Sequence, residues 1–140
     1  MPFWGKKNQT VKILSIEDSP EMQEIMQYAI KGMGYEFLGA ADGMDGIKIA
    51  EEELPAIILL DINLLSVSGL EVCLMLKQNP KTAGIPVIMC TGQSSMASVE
   101  RAMSCGADGY LTKPVNMDLL KQKIQKELTK KAPGGASVKK

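Results

Sequence analysis

The stretch Ala56–Leu60 reads AIILL and is followed directly by Asp61. An uninterrupted apolar run of this length, bounded by Pro55 and by a charged residue, is typical of a strand buried on both faces. Such strands belong to parallel sheets, in which each strand is joined to the next through a helix. The stretch therefore predicts a buried strand of an α/β domain, with a carboxylate at its carboxyl end.

The same pattern extends outward on both sides of this strand. Four further apolar or β-branched runs predict strands over Val11–Ile16, Tyr35–Ala40, Ile85–Cys90 and Gly109–Thr112. Apolar residues at helical spacing follow each strand, with start signals such as Ser19-Pro20 and Asn116 and stop signals such as Gly34. Five strand–helix units predict the α/β class, with a five-stranded parallel sheet covered by helices on both faces.

The composition limits the kind of protein. Of the 140 residues, 45% are hydrophobic and 23% are charged, as expected of one globular domain. The net charge of zero hides an uneven distribution of charge. Residues 1–120 contain 9 basic and 15 acidic residues, whereas residues 121–140 contain seven Lys and one Glu. That distribution does not predict a nucleic-acid-binding face. The sequence also shows no leader and no apolar run long enough for a membrane span, so we expect a cytoplasmic protein.

Three segments are expected along the chain. Residues 1–10 are predicted to be an N-terminal extension, 11–130 the folded domain and 131–140 a disordered basic tail rich in Gly and Lys. Phe3 and Trp4 lie in the extension, where a frayed start is the simpler interpretation. No output domain is expected after the last helix, which predicts a stand-alone domain that acts through another protein.

The residue types available restrict the chemistry. The sequence contains no His, which excludes an imidazole base, a His-dependent nucleophile and a phosphohistidine on this chain. Its three Cys are widely spaced and have no His partners, so a zinc site is not expected. Carboxylate, hydroxyl, Lys and metal chemistry remain.

Polar residues stand at the carboxyl ends of the predicted strands. Glu17 and Asp18 follow the first strand, Asp61 the third, Thr91 the fourth and Lys113 the fifth. These ends meet at one edge of a parallel sheet, where ligands bind in open α/β folds. Three neighbouring carboxylates need a counter-charge, and Mg²⁺ with oxygen ligands suits them. A metal, an ammonium and a hydroxyl around Asp61 predict a pocket that holds a phosphoryl group.

The stretches ILSIEDSP, AIILLDINL, VIMCTGQ and DGYLTKPV resemble the response-regulator receiver domain of two-component signalling, over about Val11–Leu128. The resemblance implies the flavodoxin-like strand order 2-1-3-4-5. It also implies that Asp61 accepts a phosphoryl group from the phosphohistidine of a sensor histidine kinase or a phosphotransfer protein, in a signalling pathway or phosphorelay. The sequence departs from the family's usual pattern in having Glu17 where Asp is common and no Pro in the loop after Asp61.

The resemblance assigns further roles by position. It implies that Mg²⁺ is bound by Glu17, Asp18, Asp61 and the backbone carbonyl of Asn63. It implies that Thr91 and Lys113 bind phosphoryl oxygens, that Thr91 and Tyr110 form the conformational switch, and that Asn63 and Gln93 tune the lifetime of the aspartyl phosphate. The surface of the fourth helix, fifth strand and fifth helix would then change to control a partner protein, and it offers a possible dimer interface. Lys113-Pro114 is predicted to be a cis peptide.

Three other functions fit the predicted fold. One of them, a flavodoxin-like FMN carrier, would need a hydroxyl-rich phosphate loop after the first strand, where Glu17-Asp18 would repel phosphate. The main alternative is a pseudo-receiver, an interaction module that is never phosphorylated; the intact set of pocket residues argues against it. A phosphatase of the haloacid-dehalogenase type would need a second acid where Asn63 stands. The prediction is therefore a signalling switch that catalyses only its own phosphorylation and dephosphorylation, and not an enzyme with a separate substrate.

Overall fold

The computed structural model describes residues 10–130. Strands and helices alternate along this part of the chain, as the sequence predicts. In chain order they are β1 Lys12–Ile16, α1 Pro20–Gly32, β2 Glu36–Ala40, α2 Gly43–Glu53, β3 Ile57–Leu60, α3 Gly69–Gln78, β4 Val87–Thr91, α4 Met96–Ser104, β5 Gly109–Thr112 and α5 Met117–Lys130. The predicted extension and tail lie outside the described residues, apart from Thr10.

The five strands form one parallel sheet in the order β2-β1-β3-β4-β5. The predicted class and strand order are thereby confirmed. Residues IILL of the stretch AIILL form β3, which lies at the centre of the sheet between β1 and β4. Its four strand residues, 57–60, are all buried, because helices cover both faces of the sheet.

Two separate apolar layers hold the helices to the sheet. Ile57 and Leu59 of β3 face the layer that contains α1 and α5. Ile58 and Leu60 face the opposite layer, which contains α2, α3 and α4. This alternation follows from the two-residue period of a strand. The strand residues are thus used for packing against the helices, and the loops that follow the strands are available to form a pocket at the carboxyl edge of the sheet.

Side-chain caps fix where several helices begin. The Ser19 hydroxyl accepts a hydrogen bond from Met22 N at 3.3 Å, with Pro20 as the first helical residue. Asn116 Oδ1 accepts from Leu119 N at 3.0 Å at the start of α5. Both predicted start signals therefore act as caps.

The predicted bounds of the fourth strand were wrong at both ends. Ile85-Pro86 precedes β4, which begins at Val87 and includes Thr91 as its last residue. Proline has no N–H to donate, although the Pro86 carbonyl accepts from Ile58 N at 3.0 Å. Thr91 pairs in register with Thr112 of β5, so its backbone is held by the sheet and not by a loop.

All three cysteines are free thiols. Cys73 and Cys90 are buried, and burial raises the pKa of the Cys73 thiol to about 11 and that of Cys90 to about 12. Cys105 is partly exposed.

We expect iodoacetamide to label Cys105 of the native protein well before Cys73 or Cys90. Because the thiolate is the reactive form, the raised pKa values alone slow the two buried thiols by on the order of 10²-fold or more near neutral pH. Peptide mapping by mass spectrometry measures the three rates, with urea-unfolded protein as the control in which all three react. Equal rates at Cys73 and Cys105 in native protein would contradict the expectation.

Candidate functional site

Three carboxylates converge at the carboxyl edge of the sheet. Glu17 and Asp18 follow β1, Asp61 follows β3, and one carboxylate oxygen of each lies within 4.8 Å of the others. Glu17 and Asp61 are 4% and 5% exposed, whereas Asp18 is partly exposed. The structure therefore brings together the three acids that the sequence placed at these strand ends.

Lys113 reaches into this acidic cluster from the end of β5. Its Nζ lies 2.7 Å from Glu17 Oε1 and 3.5 Å from Asp61 Oδ2. Burial lowers the pKa of Lys113, but its hydrogen bond to Glu17 and the charges of Asp61 and Glu17 outweigh burial and raise the pKa overall. The Lys113-Pro114 peptide is cis, as predicted. The pocket thus holds an ammonium that stays protonated.

The charges in the cluster do not balance. Three carboxylates face one ammonium, which leaves an excess of negative charge on side chains that are largely shielded from water. Such a set favours a further cation, and carboxylate oxygens are ligands for hard divalent ions. The donor set therefore fits Mg²⁺.

The loop between β3 and α3 is folded tightly against Asp61. Asn63 N donates to Asp61 Oδ1 at 3.2 Å, and Leu65 N donates to Asp18 Oδ2 at 3.0 Å. Gly69 N donates to the Ile62 carbonyl at 2.8 Å, which closes the loop. A Cβ at position 69 would overlap the Asp61 carbonyl oxygen and lie 2.7 Å from Ile62 Cα. Only glycine allows this approach of the two backbones.

Thr91 is fully buried beside the cluster and is connected to Asn63 and Gln93. Its Oγ1 accepts from Gln93 N at 3.3 Å and lies 3.5 Å from Asn63 Nδ2. Gln93 Nε2 in turn donates to Asn63 Oδ1 at 3.0 Å. These three predicted residues therefore form one hydrogen-bonded group next to Asp61.

Tyr110 is linked to this group through the backbone. Its hydroxyl donates to the Gln93 carbonyl at 2.7 Å, and its ring is partly buried. Burial raises the pKa of Tyr110 above its ordinary value, so the phenol is protonated at neutral pH. The backbone of Gln93, in the loop after β4, therefore contacts both Thr91 and Tyr110.

Sequence reasoning missed Gln23, which lies on α1. Its Nε2 is within 3.1 Å of the backbone carbonyls of Ser15, Glu17 and Ala40, and so ties α1 to the ends of β1 and β2. Its buried Oε1 has no hydrogen-bond partner. One sequence signal could have identified Gln23. It is a polar residue three positions before the apolar Met26, so it lies on the same otherwise apolar face of the helix.

Ser98 and Arg101 of α4 were also missed. Ser98 Oγ donates to Gln93 Oε1 at 3.0 Å, and an Arg101 guanidinium nitrogen lies 3.4 Å from Ser98 Oγ. These contacts extend the hydrogen-bonded group onto α4. No sequence signal marks them, because they depend on how the loop after β4 returns to the helix.

This fold and pocket are characteristic of a class of α/β signalling domains, and comparison with known proteins identifies the family. The model of the response regulator receiver domain matches residues 13–125. The DNA-binding dual master transcriptional regulator RpaA of Synechocystis is 32% identical over 114 residues, which cover 81% of this chain and 47% of that protein. The alkaline phosphatase synthesis transcriptional regulatory protein PhoP of Bacillus subtilis is 35% identical over 103 residues, or 74% and 42% of the two chains.

A solved structure supports the same family assignment. The CheY-like response regulator receiver domain protein of Methanospirillum hungatei superimposes with a TM-score of 0.81 at 29% identity, over 87% of this chain and 96% of that one. The chain belongs to the response regulator receiver domain family of two-component signalling. It spans about half the length of the curated relatives that it matches.

Membership in this family identifies the domain as a phosphorylation-based signalling module and does not favour the pseudo-receiver alternative. No helix within residues 10–130 is long and apolar enough to cross a membrane.

Proposed function

We propose that Asp61 accepts a phosphoryl group and thereby switches the domain between two signalling states. The observation that carries the proposal is the position of its carboxylate, within 4.8 Å of Glu17 and Asp18 and 3.5 Å from Lys113 Nζ. A carboxylate is a weak nucleophile that needs alignment and charge neutralisation more than activation by a base. This cluster supplies both.

The proposed metal ligands are Glu17, Asp18, Asp61 and the backbone carbonyl of Asn63. Mg²⁺ bound there would neutralise negative charge on the phosphoryl oxygens. The excess of carboxylates over ammonium groups in the pocket supports this assignment.

The protein's own groups position the reaction. The Asn63 N–H holds one Asp61 oxygen at 3.2 Å, while the other oxygen faces the Lys113 ammonium. As an Asp61 oxygen forms its bond to phosphorus, the bond from phosphorus to the donor's histidine nitrogen breaks, and that nitrogen keeps the electron pair. Lys113 and the Thr91 hydroxyl then bind phosphoryl oxygens. The product is an aspartyl phosphate on this chain and a free histidine on the donor.

The switch is proposed to act through Thr91. Its hydroxyl oxygen now accepts from Gln93 N, and donation to a phosphoryl oxygen would draw the side chain toward Asp61 and away from that contact. The loop carrying Gln93 would move with it, and Tyr110, whose hydroxyl is bonded to the Gln93 carbonyl, would follow. The α4–β5–α5 surface would then change shape, as a shift between two populated packings.

The same contacts bear on how long the phosphoryl group survives. Asn63 and Gln93 are joined by a 3.0 Å hydrogen bond next to the acceptor. We propose that this pair limits the access of water and so tunes dephosphorylation.

The partners follow from this chemistry. The donor is proposed to be a sensor histidine kinase or phosphotransfer protein in the cytoplasm, and the target a protein that recognises α4–β5–α5 or a second copy that dimerises through it. Nucleic acid is not proposed as a ligand of residues 11–130, which we take as the receiver domain. The domain acts as a switch that catalyses only its own phosphorylation and dephosphorylation.

Incubation with acetyl phosphate and Mg²⁺ tests the proposal directly. We expect the intact mass to increase by one phosphoryl group, and chelation of the metal with EDTA to prevent the increase. Treatment with hydroxylamine, which cleaves acyl phosphates, should restore the original mass. A protein that stays unmodified with acetyl phosphate and with several phosphorylated donor proteins would refute the proposal and favour a pseudo-receiver.

Replacing Lys113 by Met should destabilise the protein most strongly in the absence of metal. The change leaves the buried Glu17 without its ammonium partner; because Lys113 itself is only partly buried, we expect a cost of about 2 kcal/mol, below that of breaking a fully buried pair. Mg²⁺ should restore part of the loss, because it replaces the missing positive charge. Urea unfolding with EDTA or Mg²⁺ measures both effects.

Lys12→Met is the matched control, since Lys12 pairs with Glu53 at 2.9 Å on the exposed surface, where solvent screening leaves an ion pair little effect on stability. Because the pKa of Lys113 is raised from 10.5, its contribution should be present from neutral pH up to about that value and disappear as the pH rises through the folded-state pKa. Equal losses from the two substitutions would contradict this account.

A further inference from the structure

An apolar groove of about 520 Å³ lies between α1 and α5, away from the phosphoryl pocket. Its apolar lining consists of Ile25, Tyr28, Ala29, Met33 and Met117. Ile25 and Tyr28 leave 46% and 84% of their surface exposed. A concave apolar surface flanked by exposed large side chains marks a site where another apolar group binds. We call this feature the α1–α5 groove.

We propose that Phe3 and Trp4 of the same chain dock into the α1–α5 groove. They belong to residues 1–9, which precede the described part of the chain. Trp4 is the only tryptophan and Phe3 one of two phenylalanines in the sequence. Residues 131–140, at the other end of the chain, contain no aromatic residue, so the N-terminal segment is the better match for an apolar groove.

The start of β1 contributes to the same apolar layer as the groove. Val11 packs in the same apolar layer as Ala29 and Met33, two residues that line the groove. The Val11 carbonyl also accepts from Glu36 N at 2.8 Å, just after the chain leaves the end of α1. Val11 therefore lies on the face of the sheet that carries the groove.

The segment is long enough to reach the groove. Six residue steps separate Trp4 from Thr10, which span up to about 20 Å when extended. The groove extends along α1 from Ile25 to Met33, and eight residues of helix span about 12 Å. The reach of the linker therefore exceeds the length of the groove.

The charges at the groove also match the segment. Glu24 and Asp118 lie at its edge together with Lys121, which gives the edge an excess of negative charge. Lys6 and Lys7 follow the aromatic pair in sequence. Docking Phe3 and Trp4 would bring both ammonium groups toward the acidic edge.

The covalent link between the N-terminal segment and the domain favours this contact, although the surface area that the two aromatic side chains bury is modest. Each aromatic side chain buries up to about 150–250 Å² of surface. A short linker holds the pair at an effective concentration near the millimolar range. A docked segment would cover the exposed surfaces of Ile25 and Tyr28, so a partner protein that uses this face would first have to displace it. This inference is independent of the chemistry at Asp61.

Trp4 supplies the measurement, because its fluorescence reports on one position only. In the full-length protein we expect a blue-shifted emission and a several-fold smaller acrylamide quenching constant than in a peptide of residues 1–10. Ile25→Lys, which places a charge in the groove, should raise the quenching constant to the value of the peptide. Met103→Lys is the matched control, since Met103 on α4 is also 46% exposed, and it should leave Trp4 protected.

Tyr28→Lys repeats the test at a side chain so exposed that its replacement cannot unfold the core. The proposal is overturned if wild-type Trp4 is quenched like the peptide, or if Met103→Lys has the same effect as Ile25→Lys. It is also overturned if protection disappears on dilution, which would show that the groove is filled by a second copy.

Discussion

Asp61→Asn protein keeps its original mass after incubation with acetyl phosphate and Mg²⁺, whereas the wild type gains one phosphoryl group. Asn has nearly the same shape as Asp, so the fold is retained, but a neutral amide lacks the anionic oxygen that must bond to phosphorus. The loss should be complete within the limit of detection. Intact-mass spectrometry at matched times measures it.

Asp45→Asn is the control for this experiment. Asp45 lies on the exposed surface of α2, so the same chemical change there should leave labelling unaffected. Asp61→Asn should also be more stable than wild type in EDTA, because it removes one of three clustered negative charges. Undiminished labelling of Asp61→Asn would place the acceptor elsewhere and contradict the proposed function.

Gly69→Ala should be the most damaging single-methyl change in the domain. The new Cβ would overlap the Asp61 carbonyl oxygen and lie 2.7 Å from Ile62 Cα, and backbone atoms cannot rotate away as a side chain can. We expect a loss of about 3 kcal/mol in the free energy of unfolding. Because Asp61 must move, phosphorylation should also slow by on the order of 10²-fold.

Urea unfolding and the rate of mass increase with acetyl phosphate measure the two effects of Gly69→Ala. Gly32→Ala provides the comparison, since a Cβ at position 32 meets nothing within 4 Å. That variant should retain wild-type stability and labelling. If Gly69→Ala behaved in the same way, the tight closure of the loop on Asp61 would not be needed for either property.

Much of this architecture could be predicted from local sequence. The apolar runs identify the three central strands, because a strand buried on both faces must be continuously apolar. The edge strands β2 and β5 are partly exposed and give a weaker signal. Parallel topology then places the residues after those strands on one edge. Glu17 and Lys113 were therefore predicted to share one edge of the sheet, although 96 residues separate them; their direct 2.7 Å contact was not predicted.

The rest depended on the paths of loops, which short-range patterns do not specify. Nothing in the sequence around Gly69 indicates that it packs against the backbone of Asp61. The links from Gln93 to Ser98 and Arg101 likewise require the loop after β4 to fold back onto α4. Thr91 was placed beyond the fourth strand because the apolar run ends at Cys90, whereas sheet pairing continues through Thr91.

The bond between Glu17 and Lys113 has a consequence for the newly made protein. Translation adds about 5–20 residues per second, so Lys113 leaves the ribosome roughly 5–20 s after Glu17, from which 96 residues separate it. During that interval the growing chain carries the acidic residues without their ammonium partner. The acidic pocket is therefore completed only after Lys113 has emerged and the fifth strand has joined the sheet.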